Sequence, residues 1–298
     1  MKWAVILAGG NGSRLQSLTR ALTGDDRPKQ FCPLFAGKTL LAQTRARLGR
    51  SVGRSHTLCV VTRGHEPYYG PELADLPPAH VVEQPGNRGT AAAIAYSIMR
   101  IRPEDRKAVI GFYPADHYYE DAEAFTRALD ATYLIAAAHP DTVFLLGTEP
   151  KSPEVEYGWI EPGPSLDMPG ARAFAVRRFW EKPSRAKAAD LFSHGCLWNI
   201  FVMIGTIGAF RTLLRAALPE VMFAFDLARY APDSPEHAID RVYSALTPCD
   251  FSRDVLARHP EKVAVVQLPN MGWIDLGQPA RVQNFLGTQR AQTRAFAS

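Results

Sequence analysis

Cysteine is scarce, with four residues in 298, at positions 32, 59, 196 and 249 and no C-x-x-C among them. That spacing excludes a disulfide framework or a zinc ribbon and reads as reduced, mostly buried thiols. No apolar run approaches about 18 residues, so no membrane span is expected. The eight histidines lack H-E-x-x-H spacing and read as scattered core or surface residues. No Lys/Arg cluster interleaved with aromatics stands out, and the net charge is a mild +4. Nucleic acid is therefore not an expected partner. Met1-Lys2-Trp3 runs into an apolar segment with no secretory h-region, so a cytoplasmic protein is expected.

What is present is a well-filled core, with 46% hydrophobic and 21% charged residues. Short apolar runs predict strands at Ala4–Ala8, Thr57–Thr62, His80–Glu83, Ala108–Tyr113, Thr142–Thr148 and Val263–Leu268. Helical patterns fall between them at Leu40–Leu48, Thr90–Arg102, Ala122–Ala138 and Ser184–Phe192. This alternation predicts an α/β fold with a mixed, mostly parallel sheet flanked by helices. The middle third, Tyr157–Glu161 through Gly170 to Arg177–Trp180, reads as an antiparallel strand, turn and strand. No long Gly/Ser/Pro linker interrupts the chain, so one continuous domain over residues 1–298 is expected. The polar tail from Thr288 to Ser298 is expected to fray.

Ligands on such sheets sit beyond the carboxyl ends of the strands. There the first strand runs into Gly9-Gly10-Asn11-Gly12-Ser13-Arg14, and a second cation, Lys29, follows in Pro28-Lys29-Gln30. Glycines let the backbone approach a ligand and aim several N–H groups at one anion. A P-loop fails on spacing, because Cys32 stands where the first glycine before Gly37-Lys38-Thr39 should be. The dinucleotide fingerprint fails at Leu15. The segment reads as a polyanion cradle or, more plainly, as a strand-to-helix turn with solvated basic residues.

Asp116 also lies just past an apolar strand, in Tyr113-Pro114-Ala115-Asp116-His117. Beside a polyphosphate a lone carboxylate is repelled unless a divalent cation intervenes, and Mg²⁺ favours one or two carboxylates plus phosphate oxygens. Asp275, in Gly272-Trp273-Ile274-Asp275-Leu276-Gly277, is the candidate partner. Either Asp alone reads equally well as a turn or N-cap residue. Gln84 has the donor and acceptor needed to read a base edge, and Gly89 would let an amide approach a base or ribose. The same stretch, through Thr90, also fits a polar turn and helix cap. Glu181 suits a bidentate grip on vicinal hydroxyls and Lys182 a phosphate, provided the strand ends there. A surface ion pair is the plainer account. Trp159, Trp180, Trp198 and Trp273 suit stacking on a sugar or base, although large aromatics usually serve packing.

L-A-G-G-x-G-x-R-L followed by P-K-Q-F resembles the signature of sugar-phosphate nucleotidyltransferases, most like the mannose-1-phosphate guanylyltransferase branch. Further similarities run from Ala4 to about Val282: P-x-D-H, Y-G-Y-I-E, F-x-E-K-P, L-W-N and W-x-D-x-G. The resemblance implies a Rossmann-like, GT-A-type domain. It implies that an NTP, with GTP the first candidate, reacts with a sugar 1-phosphate, with mannose 1-phosphate the first candidate, to give an NDP-sugar and pyrophosphate. It further implies a nucleotide site at Leu7, Ala8, Gly9, Gly10, Gly12, Ser13, Arg14, Gln84, Gly89 and Thr90. A sugar-phosphate site would comprise Gly158, Glu181, Lys182 and Asn199, with Mg²⁺ on Asp116 and Asp275 and catalytic cations Arg14, Lys29 and Lys182. Homo-oligomerisation is compatible with this pattern.

The chain departs from the guanylyl branch at three places. Gly89 and Ala92 replace the Asn and Pro of Asn-Thr-Ala-Pro-Ala. Ile200-Phe201 replaces Ser-Gly after Asn199, a bulk expected to reshape the sugar pocket. Phe251-Ser252-Arg253-Asp254-Val255 replaces D-Y-A-V. A silent sugar-nucleotide-binding regulator remains an alternative, as does an enzyme for another NTP and sugar pair. A glycosyltransferase of similar fold would want D-x-D, which does not occur.

Overall fold

The structure, a computed structural model, describes residues 1–34, 37–101, 107–232 and 234–296, with side chains as far as residue 287. Its strands are β1 (Lys2–Leu7), β2 (Thr57–Thr62), β3 (Val81–Gln84), β4 (Val109–Pro114), β5 (His117–Tyr118) and β6 (Val143–Thr148). They continue with β7 (Gly158–Leu166), β8 (Arg172–Glu181), β9 (Leu197–Thr206), β10 (Val263–Gln267) and β11 (Ile274–Asp275). The helices are α1 (Gln16–Thr23), α2 (Leu40–Leu48), α3 (Glu66–Leu73), α4 (Thr90–Arg100) and α5 (Ala122–Ala138). After them come α6 (Arg185–Ser193), α7 (Ile207–Ala217), α8 (Pro219–Ala228), α9 (Pro235–Ala245) and α10 (Pro279–Phe296). Arg102, expected at a helix end, lies outside the described residues. The tail expected to fray is helical as far as Phe296. Its side chains and residues 297–298 lie outside the described residues.

Among the described residues nine strands form one sheet in the order β3–β2–β1–β4–β9–β6–β10–β8–β7. Parallel pairing joins β3, β2, β1 and β4, and again β6 with β10. Every pairing of β7, β8 and β9 is antiparallel. The sheet is thus mixed, with its antiparallel share concentrated in the half that includes the expected hairpin. Strand order turns back between β1 and β4, which opens a crevice at their carboxyl ends. The glycine turn leaves β1 there, and Asp116 leaves β4.

Both faces are covered. Successive residues of a strand point to opposite faces. Ala4 and Ile6 accordingly join the core under α2, α3 and α5, while Val5 joins the one under α4, α7, α8 and α9. Thr39 caps α2 by accepting from Ala42 N–H and also donates to Glu72, so Gly37-Lys38-Thr39 serves as a helix start. Asp121 caps α5 in the same way at Ala124 N–H. Trp159, Trp198 and Trp273 are buried in the first core and Trp180 packs against it, so all four serve packing. The four cysteines are free and buried. Among the described residues no helix is long and apolar enough to cross a membrane.

A third, smaller cluster joins distant parts of the chain. Leu15, just after the glycine turn, packs with Leu40, Leu276, Val282 and Phe285. It ties the exit of the glycine turn to the segment that carries Asp275.

α5 is pinned to the sheet by polar contacts as well. Tyr113 OH donates to Tyr133 OH at 2.9 Å, and Tyr133 OH donates to Trp3 O at 2.7 Å, with both rings buried. Tyr133→Phe removes both bonds and leaves buried groups unpaired, a loss of about 1–3 kcal/mol. Urea unfolding is expected to show a lower midpoint with an unchanged slope.

Candidate active site

The cradle forms because the turn's carbonyls are held back. Ala8 N–H donates to Val60 O, which keeps the turn against β2. The Gln30 side-chain amide donates to Ala8 O and Gly10 O, each at 2.8 Å, and Thr62 Oγ1 donates to Gly9 O at 2.9 Å. The N–H groups of Gly9 to Gly12 have no hydrogen-bond partner among the described residues. Successive free amides at a turn form an anion-binding concavity. Neither Gln30 nor Thr62 was assigned a role from sequence, although Gln30 lies in the quoted P-K-Q-F motif.

Asp116 and Asp275 meet through a two-residue ribbon. β5 pairs with β11 in antiparallel register, which sets Asp275 opposite His117, the residue after Asp116. Lys29 Nζ lies 2.5 Å from Asp116 Oδ2 and 3.9 Å from Asp275 Oδ1, and also donates to Leu276 O. Burial disfavours the Lys29 ammonium, but the charges of Asp116 and then Asp275 outweigh it and raise its pKa. Burial likewise opposes the Asp116 carboxylate, and the Lys29 charge beside it overcomes this, so its pKa falls below the usual range.

His117 is held neutral chiefly by burial, against the pull of Asp116 and Asp275. Trp273 Nε1 can only donate, and it bonds to His117 Nδ1 at 3.1 Å. The ring proton therefore sits on Nε2, which faces Asp275 Oδ1 at 3.9 Å. Arg281 holds the far oxygen, Asp275 Oδ2, at 3.3 Å while pairing with Glu154 and covering the Tyr157 ring.

The residues present suit a divalent ion that relies on substrate for its remaining ligands. Two carboxylates converge on one cationic atom, and among the described residues no cluster of three or more His, Cys, Asp or Glu offers a complete protein cage. That is the Mg²⁺ pattern of one or two carboxylates with phosphate oxygens.

A cavity of about 360 Å³ lies beside this centre. Leu7, Gly9, Gly10, Gln84, Gly89, Thr90 and Asp116 line it, together with Asn87, His117, Phe201 and Asp250. Gln84 is buried against the loop: a Cβ on Gly9 would stand 2.3 Å from Gln84 Nε2. Tyr243 OH donates to Gln84 Oε1 at 3.0 Å, which turns the amide group one way round. Gly89 is used differently from the expectation. Its N–H donates to Asn87 Oδ1, and a Cβ at its φ of 87° would stand 2.2 Å from Cys249 O. The glycine therefore serves close packing between α4 and the 249–251 segment. Thr90 Oγ1 donates to Asp250 Oδ2 at 3.2 Å and accepts from Phe251 N–H, so it too is engaged with that segment.

Gly158, Glu181 and Asn199 are brought together at the other end. Gly158 and Glu181 are paired across β7 and β8, and a Cβ on Gly158 would stand 3.2 Å from Glu181 Oε2 and 3.4 Å from the Asn199 Cβ. Lys182 adopts a left-handed backbone, φ 45°, which ends β8 and leaves its Nζ 3.9 Å from Glu181 Oε1. That turn meets the condition for neighbouring residues to share a side. Arg14 is the outlier. It pairs with Glu156 at 3.0 Å and is more than half exposed, although its charge reaches Lys29.

Residues 3–284 match the family described as nucleotidyl transferase. The chain belongs to the nucleotidyl transferase family. It is 32% identical over 278 residues to the alginate biosynthesis protein AlgA of Pseudomonas putida, covering 92% of this chain and 56% of that protein. It is 28% identical over 280 residues to a mannose-1-phosphate guanylyltransferase of Escherichia coli, covering 92% of this chain and 57% of that protein. The chain thus spans little more than half the length of the curated relatives it matches. A crystal structure from Thermus thermophilus, described as a mannose-1-phosphate geranyltransferase, superposes with a TM-score of 0.81 at 32% identity. That match covers 93% of this chain and 76% of the other, and supports the α/β fold.

Burial, and then the Asp250 charge, lifts the Glu181 carboxyl to about 7, against Lys182 and a hydrogen bond from Ser252. Carboxyl-carbon NMR is expected to show one glutamate titrating near that value, and Asp250→Asn is expected to lower it. Between the ordinary glutamate pKa and about 7 the native state binds the extra proton. Glu181 therefore lowers stability as pH rises through that window, and Glu181→Gln is expected to flatten the slope.

Proposed function

We propose that this chain transfers a nucleotidyl group from an NTP to a sugar 1-phosphate, releasing pyrophosphate, with GTP and mannose 1-phosphate as the preferred pair. The observation that carries this reading is the meeting of Asp116, Asp275 and Lys29 at the rim of a cavity lined by the amide cradle. The choice of GTP and mannose 1-phosphate is supported by the name of the Escherichia coli relative.

A sugar-phosphate oxygen is already anionic at neutral pH, so it needs no general base. It bonds to the α-phosphorus as the bond from that phosphorus to the β-bridging oxygen breaks, and the electron pair leaves with pyrophosphate. The protein's part is alignment and charge neutralisation. The Gly9 to Gly12 amides hold the outer phosphates, joined by Arg14 once it leaves Glu156. Lys29 offsets charge at the α-phosphorus and Lys182 holds the incoming phosphate. Glu181, Asn199 and the Gly158 backbone position the sugar, and Gln84 faces the base. Mg²⁺, held by Asp116 and Asp275, supplies further charge neutralisation when bound. The cytoplasm is the compartment this chemistry fits, since it supplies the NTP.

Pyrophosphate release across a matrix of NTPs and sugar 1-phosphates tests the reading. The GTP and mannose 1-phosphate pair is expected to react fastest with Mg²⁺ present and to stop with EDTA; silence across the matrix overturns the proposal. Lys29→Ala and Lys182→Ala are each expected to lower kcat by about 10²–10³, by analogy with loss of one preorganised oxyanion donor. Asp275→Asn is expected to raise the Mg²⁺ concentration needed for half-maximal rate.

A further inference from the structure

Arg47, on α2, carries a charge into the core. It is 8% exposed and lies over the Tyr119 ring at 4.7 Å and the Phe125 ring at 5.7 Å. Among the described residues no carboxylate pairs with it, and burial pushes its pKa down. Its Nε has no hydrogen-bond partner among the described residues either. An unpaired charge is costly to take out of water, and a methionine would fill the space against those rings without that cost.

The bonds that Arg47 does make are directed at the metal end of the site. One Nη donates to His117 O at 3.2 Å and to Thr44 Oγ1 at 2.9 Å. Thr44 Oγ1 in turn donates to Ala115 O at 3.3 Å. Thr44 and Arg47 are three residues apart on α2 and so share one face. That face grips the carbonyls immediately before and after Asp116. α2 is itself anchored by Leu41 and Leu48 in the first core. Through the β5–β11 pairing, the grip on His117 also supports the ribbon that carries Asp275. In the proposed reaction Lys29 turns from Asp116 to the α-phosphorus, so its 2.5 Å contact no longer orients the carboxylate. The two carbonyl bonds persist.

We propose that Thr44 and Arg47 are positioning residues, which hold the carbonyls of Ala115 and His117 so that the Asp116 carboxylate stays aimed at a divalent ion. This rests on the reading of Asp116 and Asp275 as the metal pair. Neither residue touches substrate or metal.

The test measures affinity for the α,β-methylene analogue of the best-bound NTP by calorimetry, once with Mn²⁺ and once with EDTA. The ratio of the two affinities is the gain that the ion brings, and it needs no turnover. Thr44→Val keeps the shape but loses both hydrogen bonds. Its gain is expected to fall about tenfold, as when a metal ligand loses its support, with the EDTA affinity unchanged. Thr44→Ser keeps the hydroxyl and is expected to retain the gain. Arg47→Met is expected to lose the gain as Thr44→Val does, yet to melt no lower than wild type, because the charge it removes is unpaired. Tyr133→Phe, whose lost bonds touch neither carbonyl, is expected to keep the full gain. A wild type with no Mn²⁺ gain defeats the metal reading and this proposal with it. A normal wild-type gain that Thr44→Val and Arg47→Met both retain overturns this proposal alone, and so does a gain lost equally in Thr44→Ser. Where Arg47→Met does not fold, the two Thr44 variants decide.

Discussion

Asp116 and Asp275 would repel each other if nothing positive stood between them, and each would resist leaving water. Lys29 answers both demands, since its ammonium reaches one carboxylate at 2.5 Å and the other at 3.9 Å. The contact joins three stretches of chain. The segment after the glycine turn supplies the cation, the end of β4 supplies one acid, and the β11 ribbon supplies the other. Breaking such a group by removing one member costs more than the set contributes when intact, because a buried charge is left uncompensated. The hydrophobic contact of Leu15 with Leu276 lies alongside and joins the first and last of these stretches by a means that salt does not screen.

The architecture explains why these stretches meet at this place. Parallel strands with helical crossovers send their carboxyl ends to one edge, and the reversal between β1 and β4 keeps that edge open. The antiparallel half contributes differently. Its strands β7, β8 and β9 deliver Gly158, Glu181 and Asn199 through direct cross-strand register. One end of the site is therefore built from loops and the other from strand positions.

Sequence patterning was most informative where a whole strand or one face of a helix is buried. Thr57–Thr62, Leu40–Leu48 and Ala122–Ala138 have the same limits in the structure as in the hydrophobic pattern. The proximity of Asp116 to Asp275 was inferred from charge chemistry and family motifs, because a polyphosphate beside a lone carboxylate demands a second acid. Other features had no local signal. β9 is apolar but for Asn199 as far as Ile204, and reads equally well as buried helix. Gln30 and Thr62 act through side-chain bonds to carbonyls set by tertiary packing, so nothing in their neighbours announces the role. The left-handed backbone of Phe201 runs against residue preference, and Ile200-Phe201 hinted at altered bulk without showing which side chain faces the cavity.

The cluster of Leu15 with Leu276 and Phe285 also bears on how the molecule is assembled. Ribosomal synthesis delivers the glycine turn, Lys29 and Asp116 long before the β11 ribbon, and closing so long a loop carries an entropic cost that grows only slowly with its length. Until that ribbon emerges, Lys29 has Asp116 but not Asp275 beside it, and Leu15 lacks Leu276 and Phe285. The charge balance around Lys29 is therefore completed only by a segment far downstream of it in the chain.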